Sequence, residues 1–214
     1  MTDLRALVIA PEQALQNSED WVAAAQGLPL TVLNCTVTVR EALDHIASGR
    51  YEIIHFATHG DVAALQMSNG PIPAALLEEA VRSAGKVELV IIGACRSVTI
   101  GAALYMGGAP RVLAWRDQVA DATAALWAGS FYTALRMNGG AGSIWNASQV
   151  AAEVVRSVGA EPPIYLNGRL VVLEGEIQRL QQAQKARLAK LPWWIVAALA
   201  VQYVLLIALL LRLG

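Results

Sequence analysis

Short apolar runs alternate with stretches of helical periodicity along most of the chain. The apolar runs predict strands over residues 4–10, 30–35, 52–58, 87–94 and 111–115. The helical stretches cover residues 12–25, 38–48, 72–84, 121–137 and 143–158, and residues 164–173 predict a strand or a short hairpin. Strands that are apolar throughout and alternate with helices are typical of a mostly parallel α/β sheet that helices cover on both faces.

Particular residues mark the ends of these helices. Thr38 is followed three residues later by Glu41, which is the spacing of a capping box. Gly49 and Gly85 are placed where a helix would end in a left-handed residue. Asp121 is a candidate N-cap for the helix that it precedes.

The C-terminal region contains a long uncharged run over residues 193–211. About 19 residues at about 1.5 Å each cover the roughly 30 Å of a hydrocarbon core, so we expect a transmembrane helix over residues 192–212. A buried helix in an oligomer is the alternative. Residues 174–191 are charged and rich in glutamine, and they predict a stalk helix or a weak self-association surface. Residues 1–173 then form the globular domain.

Basic residues flank the apolar run unequally. Lys185, Arg187 and Lys190 precede it, and Arg212 follows it. Because positive charge favours the cytoplasmic side, the globular domain is expected in the cytoplasm. The sequence therefore predicts a single-pass protein of the cell membrane with a C-terminal anchor.

Composition narrows the classes of function. Hydrophobic residues make up 56% of the 214 residues and charged residues 15%, an excess that the apolar C-terminal run explains. The net charge of −1 provides no basic field for nucleic acid. Two cysteines, Cys35 and Cys95, do not make a disulfide framework, and the N-terminus lacks the pattern of a signal peptide. A reducing compartment is therefore expected, with Cys35 in the core.

Two of the predicted strands end in reactive side chains. His59 follows one strand and Cys95 follows another. In a parallel sheet both side chains fall at the same edge, and neighbouring strands are about 4.8 Å apart. A lone cysteine at this edge would usually be a packed apolar residue, and a lone histidine would usually be solvated. An imidazole beside a thiol, however, can take its proton and generate a nucleophile. The pattern indicates a His–Cys pair for nucleophilic catalysis.

Backbone groups beside the pair complete the candidate site. The N–H groups of Gly60 and Cys95 are candidate donors to an oxyanion. His55 and His59 also suggest a metal pair, but four residues of strand separate them by more than about 10 Å. Because no acidic residue or cysteine clusters near them, neither a metal nor a cofactor is expected. His55 is expected to be buried beside the site.

The segments YEIIHFATHG, VELVIIGACRS and RVLAWRDQVADATAALWAGSFYTAL resemble the CHAT family of caspase-like cysteine peptidases, over roughly residues 50–170. This resemblance implies a caspase-hemoglobinase-like fold and peptide-bond hydrolysis, with His59 as base and Cys95 as nucleophile. It also implies that Asp117 or Asp121 lines a specificity pocket, although Asp121 could equally serve as a helix cap. Arg96 would hold the loop of the nucleophile.

The chain departs from the family where Ser97 and Val98 follow the Ala-Cys-Arg motif in place of Thr-Gly. It also lacks the helical-repeat arms that sense partners in other members, so an activating partner protein in trans is expected. The sequence thus predicts a membrane-anchored endopeptidase acting on a protein substrate, as an effector in bacterial defence or regulated cell death. A non-enzymatic adaptor on a membrane tether and a membrane-disrupting protein are the alternatives.

Overall fold

The computed structural model describes residues 4–11, 28–138 and 143–166. They lie in the compact unit that spans residues 1–169. Within these ranges the strands are β1 (Ala6–Ala10), β2 (Leu30–Asn34), β3 (Ile53–Phe56), β4 (Ala64–Met67), β5 (Gly70–Pro73), β6 (Leu89–Ile92), β7 (Val112–Ala114) and β8 (Ile164–Leu166). The helices are α1 (Val39–Ala47), α2 (Ala74–Ala84), α3 (Val98–Met106), α4 (Asp121–Asn138) and α5 (Ile144–Ser157).

The central sheet has the strand order β2-β1-β3-β6-β7-β8. The first five strands in this order run parallel, and β8 runs antiparallel to β7. The mostly parallel sheet predicted from the apolar runs is therefore confirmed. Strands β3 and β6 are neighbours with Phe56 opposite Ile92, so the residues that follow the two strands emerge at the same edge.

Helices cover both faces of this sheet, which explains why its strands are apolar throughout. On one face Ile53, Ile91 and Leu113 belong to the same buried cluster as Phe131 of α4 and Val155 of α5. On the other face α3 lies against the alternate residues of β7, and α2 contacts both α1 and α3.

Two elements differ from the prediction. The helix expected from residue 72 begins only at Ala74, and residues 70–73 pair with β4 as the second strand of a hairpin. The prolines at 71 and 73 disfavour helical backbone in the residue that precedes each of them, so the helix cannot start earlier. Helix α3 was not predicted, because its residues are apolar on all sides and give no helical periodicity.

The prediction that Cys35 lies in the core is wrong. Its side chain is exposed, and its backbone adopts a φ of +68° in the turn after β2. The predicted helix over 12–25, the stalk over 174–191 and the transmembrane helix over 192–212 lie outside the described residues. None of the helices in the described ranges is long and apolar enough to cross a bilayer.

Candidate active site

His59 is held beyond the end of β3 by the hairpin of β4 and β5. Its backbone carbonyl accepts the N–H of Gln66 over 2.9 Å. The buried hydroxyl of Thr58 donates to the carbonyl of Gln66, which adds a second link between this turn and β4. The imidazole itself is exposed at the carboxyl edge of the sheet. The hairpin, which the sequence did not reveal, therefore fixes the backbone of the proposed base.

Asp61 orders the loop that joins His59 to β4. Its Oδ1 accepts the N–H of Ala63 over 2.7 Å and the N–H of Ala64 over 3.0 Å. These backbone bonds lower the pKa of the Asp61 carboxyl. The far end of the hairpin is tied to α1, because Asn69 Oδ1 accepts the N–H of Val39 over 2.8 Å.

Cys95 lies in the turn between β6 and α3, and Ser97 anchors this turn. The fully buried Ser97 hydroxyl donates to the carbonyl of Ile92 over 3.2 Å and accepts the N–H of Trp115 over 3.1 Å. It therefore joins the ends of β6 and β7. Arg96 contributes through its backbone, whose N–H donates to the carbonyl of Asp117 over 3.1 Å. Among the described residues no side-chain bond from Arg96 to the loop is present, unlike the prediction.

The Cys95 thiol contacts the backbone of Val119, in the segment between β7 and α4. The Val119 N–H points to Sγ over 3.4 Å, and Sγ lies 3.7 Å from the Val119 carbonyl oxygen. Together these two contacts hold the thiol against the segment between β7 and α4.

His59 and Cys95 line the same cavity, whose volume is about 40 Å³. Asp121 also lines this cavity, whereas Asp117 does not. Asp117 lines a larger neighbouring cavity of about 470 Å³, which shares Trp115 with the first. The structure thus brings together the predicted side chains of His59, Cys95 and Asp121 and places Asp117 in the neighbouring cavity.

Asp121 is not the cap of its helix. The carbonyl of Ala120 accepts the first two helical bonds, from the N–H groups of Thr123 and Ala124 over 2.9 and 3.0 Å. The capping position therefore falls at Ala120, and Asp121 is the first residue of α4. The helix-cap alternative for Asp121 is therefore wrong, and its place in a specificity pocket stays a prediction.

Small residues keep the cavity open. The N–H of Gly93 donates to the carbonyl of Phe56 over 2.7 Å, and a Cβ on Gly93 would lie 2.9 Å from that oxygen. Only glycine allows β6 to approach β3 this closely at the point where both strands end. Ala124, Ala125 and Ala128 line the opposite wall with methyl groups from α4.

His55 lies at the buried end of the cavity, as predicted. Its Nδ1 is 3.0 Å from the hydroxyl of Tyr132 on α4, and both side chains are buried. Desolvation lowers the pKa of His55 to about 3 and raises the pKa of Tyr132 above its usual range. The imidazole of His55 is therefore neutral at pH 7, and His59 remains the candidate base.

The sequence did not indicate Trp127 and Tyr132 as site residues. Both belong to the apolar stripe of α4, where aromatic residues at helical spacing are typical of core packing. Trp127 stacks on Phe131 with ring centroids 5.1 Å apart, as a core residue would, yet it also lines the cavity. No pattern in the sequence separates the two roles, because they depend on where one edge of the ring points.

The candidate oxyanion donors are not engaged elsewhere. Within the described residues, no hydrogen bond uses the N–H of Gly60 or of Cys95. A Cβ on Gly60 would lie 3.0 Å from Leu65 and 3.1 Å from Ala94, so glycine permits the tight turn. In the same ranges no three His, Cys, Asp or Glu side chains are grouped as ligands for a metal ion.

Comparisons with known proteins give a family and a fold. The CHAT domain matches residues 3–157. The crystal structure of the Arg specific cysteine proteinase gingipain R superposes with a TM-score of 0.55 at 14% identity, over 72% of this chain and 42% of gingipain R. The chain thus spans less than half of that protein and shares its fold. No curated protein matches the sequence. With most of its length matched by the domain, the chain belongs to the CHAT domain family.

Proposed function

We propose that this chain is a caspase-like cysteine peptidase in which Cys95 is the nucleophile and His59 the general base. One observation carries the proposal. Cys95 and His59 line one cavity at the carboxyl edge of two adjacent parallel strands. Ligands of open α/β sheets bind at this edge, and the two side chains are those that thiol chemistry requires.

The proposed reaction has two stages. Cys95 Sγ bonds to the scissile carbonyl carbon while His59 takes the thiol proton, and His59 then delivers that proton to the leaving amine as the C–N bond breaks. Water hydrolyses the resulting thioester, with His59 taking a proton from the water and Cys95 Sγ leaving. The N–H groups of Gly60 and Cys95 are the proposed donors to the oxyanion in both stages.

Asp121 and Asp117 are the proposed contacts to a peptide substrate. Asp121 is exposed on the cavity that contains Cys95, so it can meet the side chain beside the scissile bond. Asp117 and Glu161 line the neighbouring cavity, whose roughly 470 Å³ lies within the range of ligand-binding clefts. Residues further along a bound peptide would occupy this second cavity.

A partner protein in trans is the proposed activator. The cavity of about 40 Å³ beside Cys95 is too small for a peptide. The thiol is also held by hydrogen bonds with the backbone N–H and carbonyl of Val119. Binding a peptide would require residues 116–120 to move and release the thiol. A protein that binds this segment in its displaced form would shift the population toward the active enzyme.

The uncharged run over residues 193–211 supports a membrane anchor, with the catalytic domain in the cytoplasm and a protein substrate close to the membrane. A role as an effector in bacterial defence or regulated cell death is part of this proposal. A non-enzymatic adaptor is the alternative, and it is also compatible with a Cys95 thiol whose hydrogen bonds are made with the Val119 backbone. A membrane-disrupting protein would instead act through the C-terminal run alone.

The test is expression of the full chain together with its genomic neighbours, followed by mass spectrometry of protein N-termini. New termini that appear with the wild type and vanish in both Cys95→Ala and His59→Ala would support the peptidase. Cys35→Ala is the matched control, because that cysteine is exposed and outside the cavity. Identical termini in wild type and Cys95→Ala, with bound partner present, would favour the adaptor. Toxicity of residues 174–214 alone would favour membrane disruption.

A further inference from the structure

Thr58 lies where the central sheet passes into the hairpin of β4 and β5. Ala57 precedes it and still bonds to the sheet, because its N–H donates to the carbonyl of Ile9 over 2.9 Å. His59 follows it and bonds to the hairpin, because its carbonyl accepts the N–H of Gln66 over 2.9 Å. Thr58 is 2% exposed and lines the cavity of the candidate active site. It is therefore the junction between the sheet and the hairpin that holds the proposed base.

The Thr58 hydroxyl takes part in the pairing between this junction and β4. Gly60 pairs with Leu65 in an antiparallel bridge, so residues 59 and 66 face each other one step closer to the sheet. In a hydrogen-bonded pair of an antiparallel ladder, both carbonyls accept a bond. The Gln66 carbonyl accepts the Thr58 hydroxyl over 2.5 Å. The side chain therefore supplies a bond at the ladder position between His59 and the sheet.

Two anchors thus lie on either side of the His59 Cα atom. The Thr58 hydroxyl bonds before it and the His59 carbonyl bonds after it, and both bonds end on Gln66. The same hydroxyl lies 3.3 Å from the His59 carbonyl oxygen, so the three groups are close together. The backbone of a residue has two soft dihedral angles, φ and ψ. Because the chain is held on both sides of His59, neither angle is free and the direction of its Cα–Cβ bond is fixed.

The chemistry of threonine suits this role. Its β-branched side chain has few χ1 rotamers, so the hydroxyl is aimed at little cost in conformational entropy. Because Thr58 is buried, water does not readily replace the hydroxyl when it is removed. Valine has nearly the same shape but no donor, and serine keeps the donor without the methyl group. These two replacements separate the hydrogen bond of Thr58 from the packing of its side chain.

We propose that Thr58 is a positioning residue, whose hydroxyl holds the imidazole of His59 within reach of Cys95 and of the water that hydrolyses the thioester. The inference rests on the proposed peptidase function, because it concerns the base of that reaction. It goes further by making the second stage of the reaction depend on one side-chain hydrogen bond. A misplacement of about 1 Å at a reacting group can reduce a rate about 100-fold. Loss of the Thr58 hydroxyl should therefore slow thioester hydrolysis although the thiol itself remains.

The first measurement is the hydrolysis of an acetyl thioester on Cys95 in the full chain, with Cys35→Ala as background. The ester p-nitrophenyl acetate forms this thioester: Cys95 Sγ bonds to the acetyl carbon, nitrophenolate leaves, and the thiol proton passes through His59 to solvent. In hydrolysis a water oxygen bonds to that carbon, acetic acid leaves, and Sγ regains a proton. After removal of excess ester, mass spectrometry of the peptide that contains Cys95 gives the rate of acetyl loss. The acetyl group is much smaller than a peptide, so this rate does not depend on substrate specificity.

We expect acetyl loss to be about 10-fold to 100-fold slower in Thr58→Val than in the Cys35→Ala background, so that the thioester accumulates. Thr58→Ser should restore most of the rate, because it retains the donor. His59→Ala shows the effect of losing the base itself, about 100-fold or more. Asn69→Ala is the matched control, because it removes a hydrogen bond to the N–H of Val39 at the far end of the same hairpin. It should lose the acetyl group at the background rate.

The pattern across the variants separates the two proposals. An undiminished rate in Thr58→Val, together with a slow rate in His59→Ala, would overturn the inference and leave the peptidase standing. Equal slowing in Thr58→Val and Thr58→Ser, or in Thr58→Val and Asn69→Ala, would indicate a general loosening of the hairpin and would also overturn the inference. An undiminished rate in His59→Ala would instead contradict the proposed base.

A second measurement does not depend on catalysis. ¹⁵N relaxation of the full chain gives the order parameter of the His59 backbone N–H, which is about 0.85 in a rigid backbone and below about 0.6 in a flexible one. We expect a rigid value in wild type, Thr58→Ser and Asn69→Ala, and a clearly lower value in Thr58→Val. The same value in all four proteins would overturn the inference, whatever the rate of thioester hydrolysis. A lower value in Thr58→Val, with no effect of His59→Ala on hydrolysis, would contradict the peptidase and retain the positioning of His59 by Thr58.

Discussion

The backbone N–H of Val119 points at the sulfur of Cys95 over 3.4 Å. This contact ties the proposed nucleophile to a segment that is distant from it in sequence and that borders both cavities. The reactivity of the thiol therefore depends on the position of this segment. A protein built in this way can change its activity by moving a loop, without moving the strands that hold the cysteine.

Removal of this donor should loosen the segment that covers Cys95 and speed the reaction of its thiol with alkylating agents. Val119→Pro deletes the N–H, and a typical intramolecular hydrogen bond contributes about 0.5–1.5 kcal/mol, so we expect the alkylation rate to rise by about 2-fold to 10-fold. The measurement is the rate of iodoacetamide alkylation at pH 7 in a Cys35→Ala background. Val119→Ala retains the backbone donor and should react at the wild-type rate. An equal rate in the proline variant would show that the contact does not hold the segment over the thiol.

Ser97 should be required for the stability of the site. Its hydroxyl is fully buried between the carbonyl of Ile92 and the N–H of Trp115, so Ser97→Ala leaves a buried donor unpaired. We expect the free energy of unfolding to fall by about 1–3 kcal/mol in urea titrations. Ser130→Ala is the control, because the Ser130 hydroxyl donates only to the backbone carbonyl of Leu126 in the same helix. A similar small loss in both variants would contradict the anchoring role.

Filling the cavity should abolish reaction at Cys95 at a modest cost in stability. Ala128 is buried on the wall that α4 presents, so Ala128→Leu adds three carbons where space for about three atoms exists. With the activating partner bound, we expect labelling of Cys95 by a peptidyl acyloxymethyl ketone to fall at least about 10-fold, with about 1–3 kcal/mol lost in unfolding free energy. Ala122→Leu on the exposed face of the same helix should change neither. Undiminished labelling in Ala128→Leu would show that substrates bind elsewhere.

The architecture of the site followed from the sequence because two physical rules were enough. Apolar strands alternating with helices imply a parallel sheet, and a parallel sheet places the residues after its strands at one edge. The positions of His59 and Cys95 in one cavity agree with this reasoning. The choice between Asp117 and Asp121 did not follow, since it depends on where α4 begins, and a shift of one residue changes which side chain faces the cavity.

The parts that the sequence did not reveal depend on contacts between distant segments. Ser97 was noted only as a departure from a motif, although its hydroxyl joins two strand ends. The hairpin that holds His59 has four-residue strands and two prolines, which give weak local signals. For Trp127 the sequence showed only the helical spacing of residues 121–137, which does not reveal that a ring stacked on Phe131 also lines the cavity. Such features become visible only when the orientation of each side chain is known.

Burial of His55 predicts a specific dependence of stability on pH. Desolvation lowers the pKa of His55 from 6.5 to about 3, so the unfolded chain binds this proton more readily than the folded chain between these values. The free energy of unfolding should therefore be fully retained above pH 6.5 and should fall as the pH drops toward 3. The loss from this group is on the order of 5 kcal/mol over the whole window.

His55→Asn isolates this effect, because asparagine does not titrate and can still bond to Tyr132. The slope of unfolding free energy against pH, measured in urea between pH 7 and 4, should be shallower in this variant than in wild type by about 1.4 kcal/mol per pH unit within the window. Carboxylates that titrate in the same range contribute equally to both proteins and cancel. Tyr132→Phe removes the partner hydroxyl but keeps the imidazole buried, so it should retain the wild-type slope. Parallel slopes in wild type and His55→Asn would mean that His55 gains its proton without unfolding, and would contradict the neutral imidazole at the buried end of the cavity.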